Sequence, residues 1–209
     1  SEPLTALARL TLETPEPNVP GTGGLVVSQT TVIFVCTGNT CRSPLAMVLA
    51  RRRWRREVTV ASAGLRAVDG EPATVAARAV ARELGLDLDG HRSRPLDRRV
   101  LERSGWIIGM TRGHVAQLVH HVPPDGPLRL GLLGAPGVDL RGRATPAAEE
   151  VSDPFGGELE HYRETAAQIE RLLVKWTGVL IGAGEGTTDA GSGTADGPAS
   201  DPGSEERDA

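Results

Sequence analysis

Cys36 and Arg42 stand six residues apart in the run Cys36-Thr37-Gly38-Asn39-Thr40-Cys41-Arg42-Ser43-Pro44. A thiol attacks as the thiolate, and a guanidinium can grip two phosphate oxygens at once. The residues between them offer backbone N–H groups that can converge on one anion. Ser43-Pro44 marks a helix start, whose positive dipole end would face the same point. The chemistry this spacing allows is in-line attack of sulfur on phosphorus, with Arg42 and the loop N–H groups holding the equatorial oxygens. The spacing alone is weak evidence, because arginine fills roughly one position in ten of the chain. The competing reading is a structural Cys36 buried on a core strand.

The surrounding elements decide between the two readings. Residues 31–36 form an apolar run that predicts a buried strand with Cys36 at its carboxyl end. Gly38 and Asn39 supply the tolerance of left-handed backbone that a tight loop needs. A helix is predicted over 44–55, with Leu45, Val48, Leu49 and Arg52 at helical spacing. Further strands are predicted over 57–62 (the chain turning at Gly64), 106–110 and 127–132. Helices are predicted over 72–84, 96–103, 112–121 and 157–178. The last of these carries Leu159, Tyr162, Ala166, Ile169, Leu173 and Trp176 on one face. Such alternation predicts an α/β fold: a three-layer, doubly wound, four-stranded parallel sheet with helices on both faces. Ligands in such sheets bind beyond the strand carboxyl ends, where Cys36 sits.

Composition narrows the possibilities. Two cysteines make neither a disulfide framework nor a zinc site, and no metal or cofactor is expected. His114, His120, His121 and His161 show no ligand spacing. No stretch is long and apolar enough to span a membrane, and no secretory signal pattern opens the sequence. A cytoplasmic location is expected, where a working thiolate stays reduced. Residues 1–30 (net −2) read as an extension or linker, 31–182 as the catalytic domain, and 183–209 as a disordered acidic tail of net −6. The remaining +4 suits an anionic substrate and is too weak to argue for nucleic acid. A monomer is expected.

Cys-Thr-Gly-Asn-Thr-Cys-Arg-Ser-Pro resembles the phosphate-binding loop of the low-molecular-weight protein tyrosine phosphatases, most of all the bacterial branch that includes protein arginine phosphatases. The resemblance runs from about Thr31 to Gly178, and Asp153-Pro154-Phe155 resembles the family's second motif. It implies a phosphatase acting on phosphorylated proteins through a phosphocysteine intermediate. Cys36 would be the nucleophile, Arg42 the phosphate clamp, and Asp153 the general acid and then the base. Thr37, Gly38, Asn39, Thr40, Cys41 and Ser43 would bind substrate, with Ser43 donating to the thiolate. Ser62 and His91 would support Asn39, which holds the loop in its strained shape. Cys41 is open between packing and a resolving thiol for an oxidised Cys36.

Substrate choice turns on small features. Segment 65–71 is expected to form one pocket wall and carries no aromatic ring. Phe155-Gly156 stands where tyrosine-specific members carry paired tyrosines, and Thr40 stands where they commonly carry a larger aliphatic. Phosphotyrosine and phosphoarginine both remain open. Two alternatives compete with a phosphatase. Arsenate reduction on the same loop needs further cysteines in its thioredoxin-coupled form. A non-catalytic phospho-binding module would need neither the thiol nor the acid.

Overall fold

The computed structural model describes residues 30–102 and 105–181. The proposed linker 1–30 lies outside the described residues except for Thr30, which belongs to the first strand, and the proposed acidic tail 183–209 lies wholly outside them. Four parallel strands form one sheet in the order β2-β1-β3-β4: β1 (Thr30–Cys36), β2 (Val58–Gly64), β3 (Gly105–Gly109) and β4 (Leu128–Leu132). β1 pairs on both sides, with Cys36 opposite Gly64 and Val35 opposite Gly109. A strand paired on both edges and covered on both faces must be apolar throughout, and 32–36 is buried throughout.

The two-residue period of β1 sorts its side chains into two cores. Val32, Phe34 and Cys36 join one cluster with α1 (Arg42–Trp54), α2 (Val75–Glu83) and α5 (Leu159–Leu180). Ile33 and Val35 join the other with Val115 and Leu118 of α4 (Arg112–Leu118). Leu101, which ends the one-turn α3 (Arg98–Leu101), packs against that second cluster. The expected three layers are therefore present. Each fully buried Leu, Ile or Phe contributes about 1.5–3 kcal/mol.

Element boundaries shift for identifiable reasons. α1 begins at Arg42 rather than residue 44, so Arg42 itself lies in the first helical turn. It ends where Arg55 adopts φ 47°. Its first half is buried all round, because it is packed between the sheet and α5, whereas Arg52 is exposed and pairs with Glu170 at 2.8 Å. α2 starts at Val75, not 72, because Thr74 caps it by accepting from Ala77 N–H at 3.2 Å. α5 starts at Leu159 behind a reciprocal Glu158–His161 cap and runs on past Gly178 to Leu180.

At the far edge, Gly131 of β4 lies under two indoles. A Cβ there would stand 3.1 Å from Trp176 and 3.2 Å from Trp106. Those rings meet edge to face at 5.0 Å, and Trp176 Nε1–H donates to the Leu133 carbonyl at 2.9 Å. This contact anchors α5 to the sheet.

Candidate active site

β1 delivers Cys36 to the sheet's carboxyl edge, and the chain must reverse into α1 within five residues. The reversal is made by Asn39, which sits at φ 56° and is fully buried. A non-glycine residue in the left-handed region costs on the order of 1 kcal/mol and persists only when its surroundings enforce it. They do so here. Asn39 Nδ2 donates to Ser43 Oγ at 2.9 Å and to Ser62 Oγ at 3.0 Å. Its Oδ1 accepts from Arg94 N–H at 3.0 Å, and its carbonyl accepts from His91 Nε2 at 2.8 Å. A carbonyl only accepts, so Nε2 of His91 carries the proton. Burial first, and then the charges of Arg94, Arg51 and Arg92, hold the His91 imidazole below its ordinary pKa despite that bond. Gly38, expected to share the left-handed turn, does not; only Asn39 takes it within the loop.

Backbone closure completes the cradle. Leu65 N–H donates to Cys36 O at 3.0 Å, Arg66 N–H to Thr37 O at 2.8 Å, and Thr74 N–H to Thr40 O at 3.0 Å. Gly64 is required by this close approach, since a Cβ there would stand 2.8 Å from Thr37 O and 2.9 Å from Asn39 N.

Cys36 Sγ lies 3.1 Å from Ser43 Oγ. Asn39 already donates to that oxygen, which leaves the Ser43 hydroxyl proton for the sulfur or for Ala63 O at 3.3 Å. Arg42 is almost fully buried, and its Nη2 donates to Asp153 Oδ2 at 2.7 Å. Its Nε is buried without a hydrogen-bond partner, an orphan donor of the kind an oxyanion satisfies. Asp153 is half exposed, and its Oδ1 accepts from Phe155 N–H at 3.2 Å across the stiff Pro154. One carboxylate oxygen thus faces Arg42 and the other is fixed to its own turn.

Cys36, Thr37, Gly38, Thr40, Cys41, Arg42, Asp153 and Phe155 line one cavity of about 230 Å³. The structure brings together residues from both ends of the sequence, 111 positions apart at Arg42 and Asp153. Ser62 and His91 stand outside the cavity, behind Asn39, as supports. Segment 65–71 does not line it, contrary to expectation. That segment is spent on closing the loop from behind, through Leu65 and Arg66, and the outer wall falls to Phe155, which is 72% exposed. Both cysteines are free. Cys41 Sγ has three hydrogen-bonding neighbours, Tyr162 OH at 3.5 Å, Thr74 Oγ1 at 3.7 Å and Thr40 Oγ1 at 3.7 Å. Burial, with Cys41 adding to it, pushes the Tyr162 phenol up to about 12.

Sequence reasoning missed His114. Its ring bridges Thr111 Oγ1 at 2.9 Å and Thr37 Oγ1 at 3.1 Å, so in either tautomer it ties the residue after Cys36 to the start of α4. Burial and the nearby Arg42 charge lower its pKa to about 4. The available signal was Thr111 three residues before it, which marks a helix cap but not a long-range contact.

A thiol at a parallel strand's end, cradled against a helix start and an arginine and facing a carboxylate, defines an enzyme that moves phosphoryl groups through cysteine. Comparison with known proteins makes this specific. The sequence matches the low molecular weight phosphotyrosine protein phosphatase family over residues 31–183. A protein-arginine-phosphatase of Geobacillus stearothermophilus is 34% identical over 142 residues, covering 68% of this chain and 90% of that protein. The low molecular weight protein-tyrosine-phosphatase Wzb of Escherichia coli K12 is 30% identical over 154 residues, covering 71% and 94%. The structure of the Geobacillus stearothermophilus arginine phosphatase superposes with a TM-score of 0.62 at 31% identity, covering 74% of this chain and 94% of that one. The chain belongs to the low molecular weight protein tyrosine phosphatase family. It is a hydrolase acting on phosphorylated proteins, and among its described residues no helix is long and apolar enough to cross a membrane.

Proposed function

We propose that this phosphatase acts on phosphoarginine in preference to phosphotyrosine, as a monomer and without nucleic acid, with Cys36, Arg42 and Asp153 carrying the chemistry. The Cys36 thiolate, favoured by the Ser43 hydroxyl, attacks phosphorus, and the S–P bond forms as the P–N bond breaks. Arg42 and the loop N–H groups hold the equatorial oxygens. Asp153 gives its proton to the departing guanidine nitrogen, then takes one from the water that hydrolyses the phosphocysteine. Phosphate leaves and the thiolate is restored.

The observation that carries the substrate reading is Thr40. Thr40 lines the cavity with Cys36 and Asp153, its hydroxyl 3.7 Å from Cys41 Sγ, and a hydroxyl at this position can hydrogen-bond a guanidinium and leaves less apolar surface for a phenol. Arginine phosphatases among the relatives support it. Phe155 favours the second reading, phosphotyrosine, because its exposed ring at the cavity can stack on a phenol as well as on a guanidinium.

Matched phosphoarginine and phosphotyrosine peptides test this. Wild type favours phosphoarginine in kcat/KM, and Thr40→Ile moves the ratio toward phosphotyrosine by about 10-fold or more. An unchanged ratio removes the argument from Thr40. Hydrolysis that survives Cys36→Ser removes the mechanism.

A further inference from the structure

A second cavity, about 320 Å³ and larger than the catalytic one, opens behind the phosphate loop. Arg51 of α1 and His91, Arg92 and Arg94 from the segment after α2 line it, together with Ser62. Asp87 is the one carboxylate on its wall. Arginines elsewhere on the described surface mostly face acids, such as Arg52–Glu170, Arg163–Glu83 and Arg171–Glu149. Among the described residues, the guanidinium groups of Arg51, Arg92 and Arg94 form no ion pair.

Arg51 is held in place beforehand, because its Nε and Nη2 donate to the Val60 carbonyl at 3.2 and 2.9 Å, and among the described residues Nη1 has no hydrogen-bond partner. Arg92 is braced on the Asp89 and His91 carbonyls at 3.2 and 2.7 Å. Asp87 is committed to its own turn, accepting from Asp89 N–H at 2.7 Å. The result is an excess of positive charge around one concavity, with Arg51 and Arg92 braced by backbone carbonyls. Arg51 loses proton affinity through burial and then through the Arg94 charge, and His91 is depressed by all three arginines after burial. In both, burial is the larger cause and the neighbouring arginine charges add to it.

The inner wall of this cavity is the outer half of the cage around Asn39. Ser62 and His91 bond Asn39 directly, and Arg94 does so through its backbone N–H. We propose that the cavity is a second oxyanion site, taking a phosphate-class anion, and that its occupancy reaches the catalytic loop through the Asn39 cage. Paired guanidinium N–H donors match tetrahedral oxyanions, and the reaction itself releases phosphate. An anion held by Arg92 and Arg94 pulls on the His91–Arg94 backbone, which carries groups that hold Asn39 at positive φ.

Calorimetric titration of inorganic phosphate tests binding without turnover, so its outcome is independent of the substrate reading. The full chain shows two binding events. Arg42→Ala keeps the second, and Arg92→Gln/Arg94→Gln keeps only the first. Asp87→Asn, which leaves every guanidinium in place, tightens the second event several-fold. A single event abolished by Arg42→Ala overturns the site, and so does a second event indifferent to both the arginine and the Asp87 variants. Pyrophosphate is the other arm: tighter binding than phosphate at the Arg42-independent site points to a phosphoryl group carried on a larger molecule, and equal or weaker binding to the free product. For the coupling, phosphate at saturating substrate changes kcat by two-fold or more in wild type and leaves it unchanged in Arg92→Gln/Arg94→Gln. Purely competitive inhibition in wild type overturns the coupling.

Discussion

Single side chains divide into those whose types announced their chemistry and those whose positions did. Cys36, Arg42 and Ser43 could be read from the sequence because local spacing sets their geometry. Asp153 needed the resemblance, since Asp-Pro alone is a common turn. His114 could not be read at all, because its partner Thr37 lies 77 positions away and nothing in its own helix points there. The Arg51–Arg94 cavity was equally hidden, because only the parallel pairing of β1 and β2 brings α1 beside the 91–94 segment. His114 yields a pH prediction. Its folded pKa of about 4 lies below the unfolded value near 6.5, so the unfolded chain binds more protons between these limits. Its contribution to stability is therefore complete above pH 6.5 and is lost as pH falls toward 4. Between pH 7 and 5, denaturant unfolding should show His114→Gln losing about 2 kcal/mol less than wild type. Equal losses would mean that this imidazole is not held neutral by the fold.

The loop between β1 and α1 is an element shaped from behind. Its strain at Asn39 is sustained by the end of β2 and by segment 91–94, and Gly64 lets β2 approach closely enough to do so. Gly64→Ala places a methyl against backbone atoms that cannot rotate away. We expect kcat to fall about 100-fold, in line with displacing a catalytic group by about 1 Å, while the melting transition remains cooperative. A variant with wild-type kcat would show that the approach is not limiting. The sequence made the existence and order of these elements clear, because the short unbroken apolar run before Cys36 and the period-3.6 burial of 159–180 differ strongly. It blurred their ends, because caps such as Thr74 and Glu158 compete with neighbouring Pro72 and Gly157 as start signals.

At the scale of the whole molecule, the sheet's two edges bear different loads. The β2 edge supports the catalytic loop, and the β4 edge supports α5 through Gly131 and the paired indoles. Gly131→Ala crowds rings already in contact and should cost about 1–3 kcal/mol by chemical unfolding, with KM unchanged. An altered KM at wild-type stability would mean that the two edges are coupled. The bond between Arg42 and Asp153 spans nearly the whole fold, joining the first helix to the segment before the last. It also means that the enzyme carries its own competitor. On the proposed mechanism, an incoming phosphoryl group must displace the Asp153 carboxylate from Arg42, and the same carboxylate can reclaim the guanidinium as phosphate departs. The pair would then act as a toll on weak anions and as an ejector of product. Asp153→Asn removes the competitor's charge, so it should bind phosphate more tightly at the loop even as turnover falls.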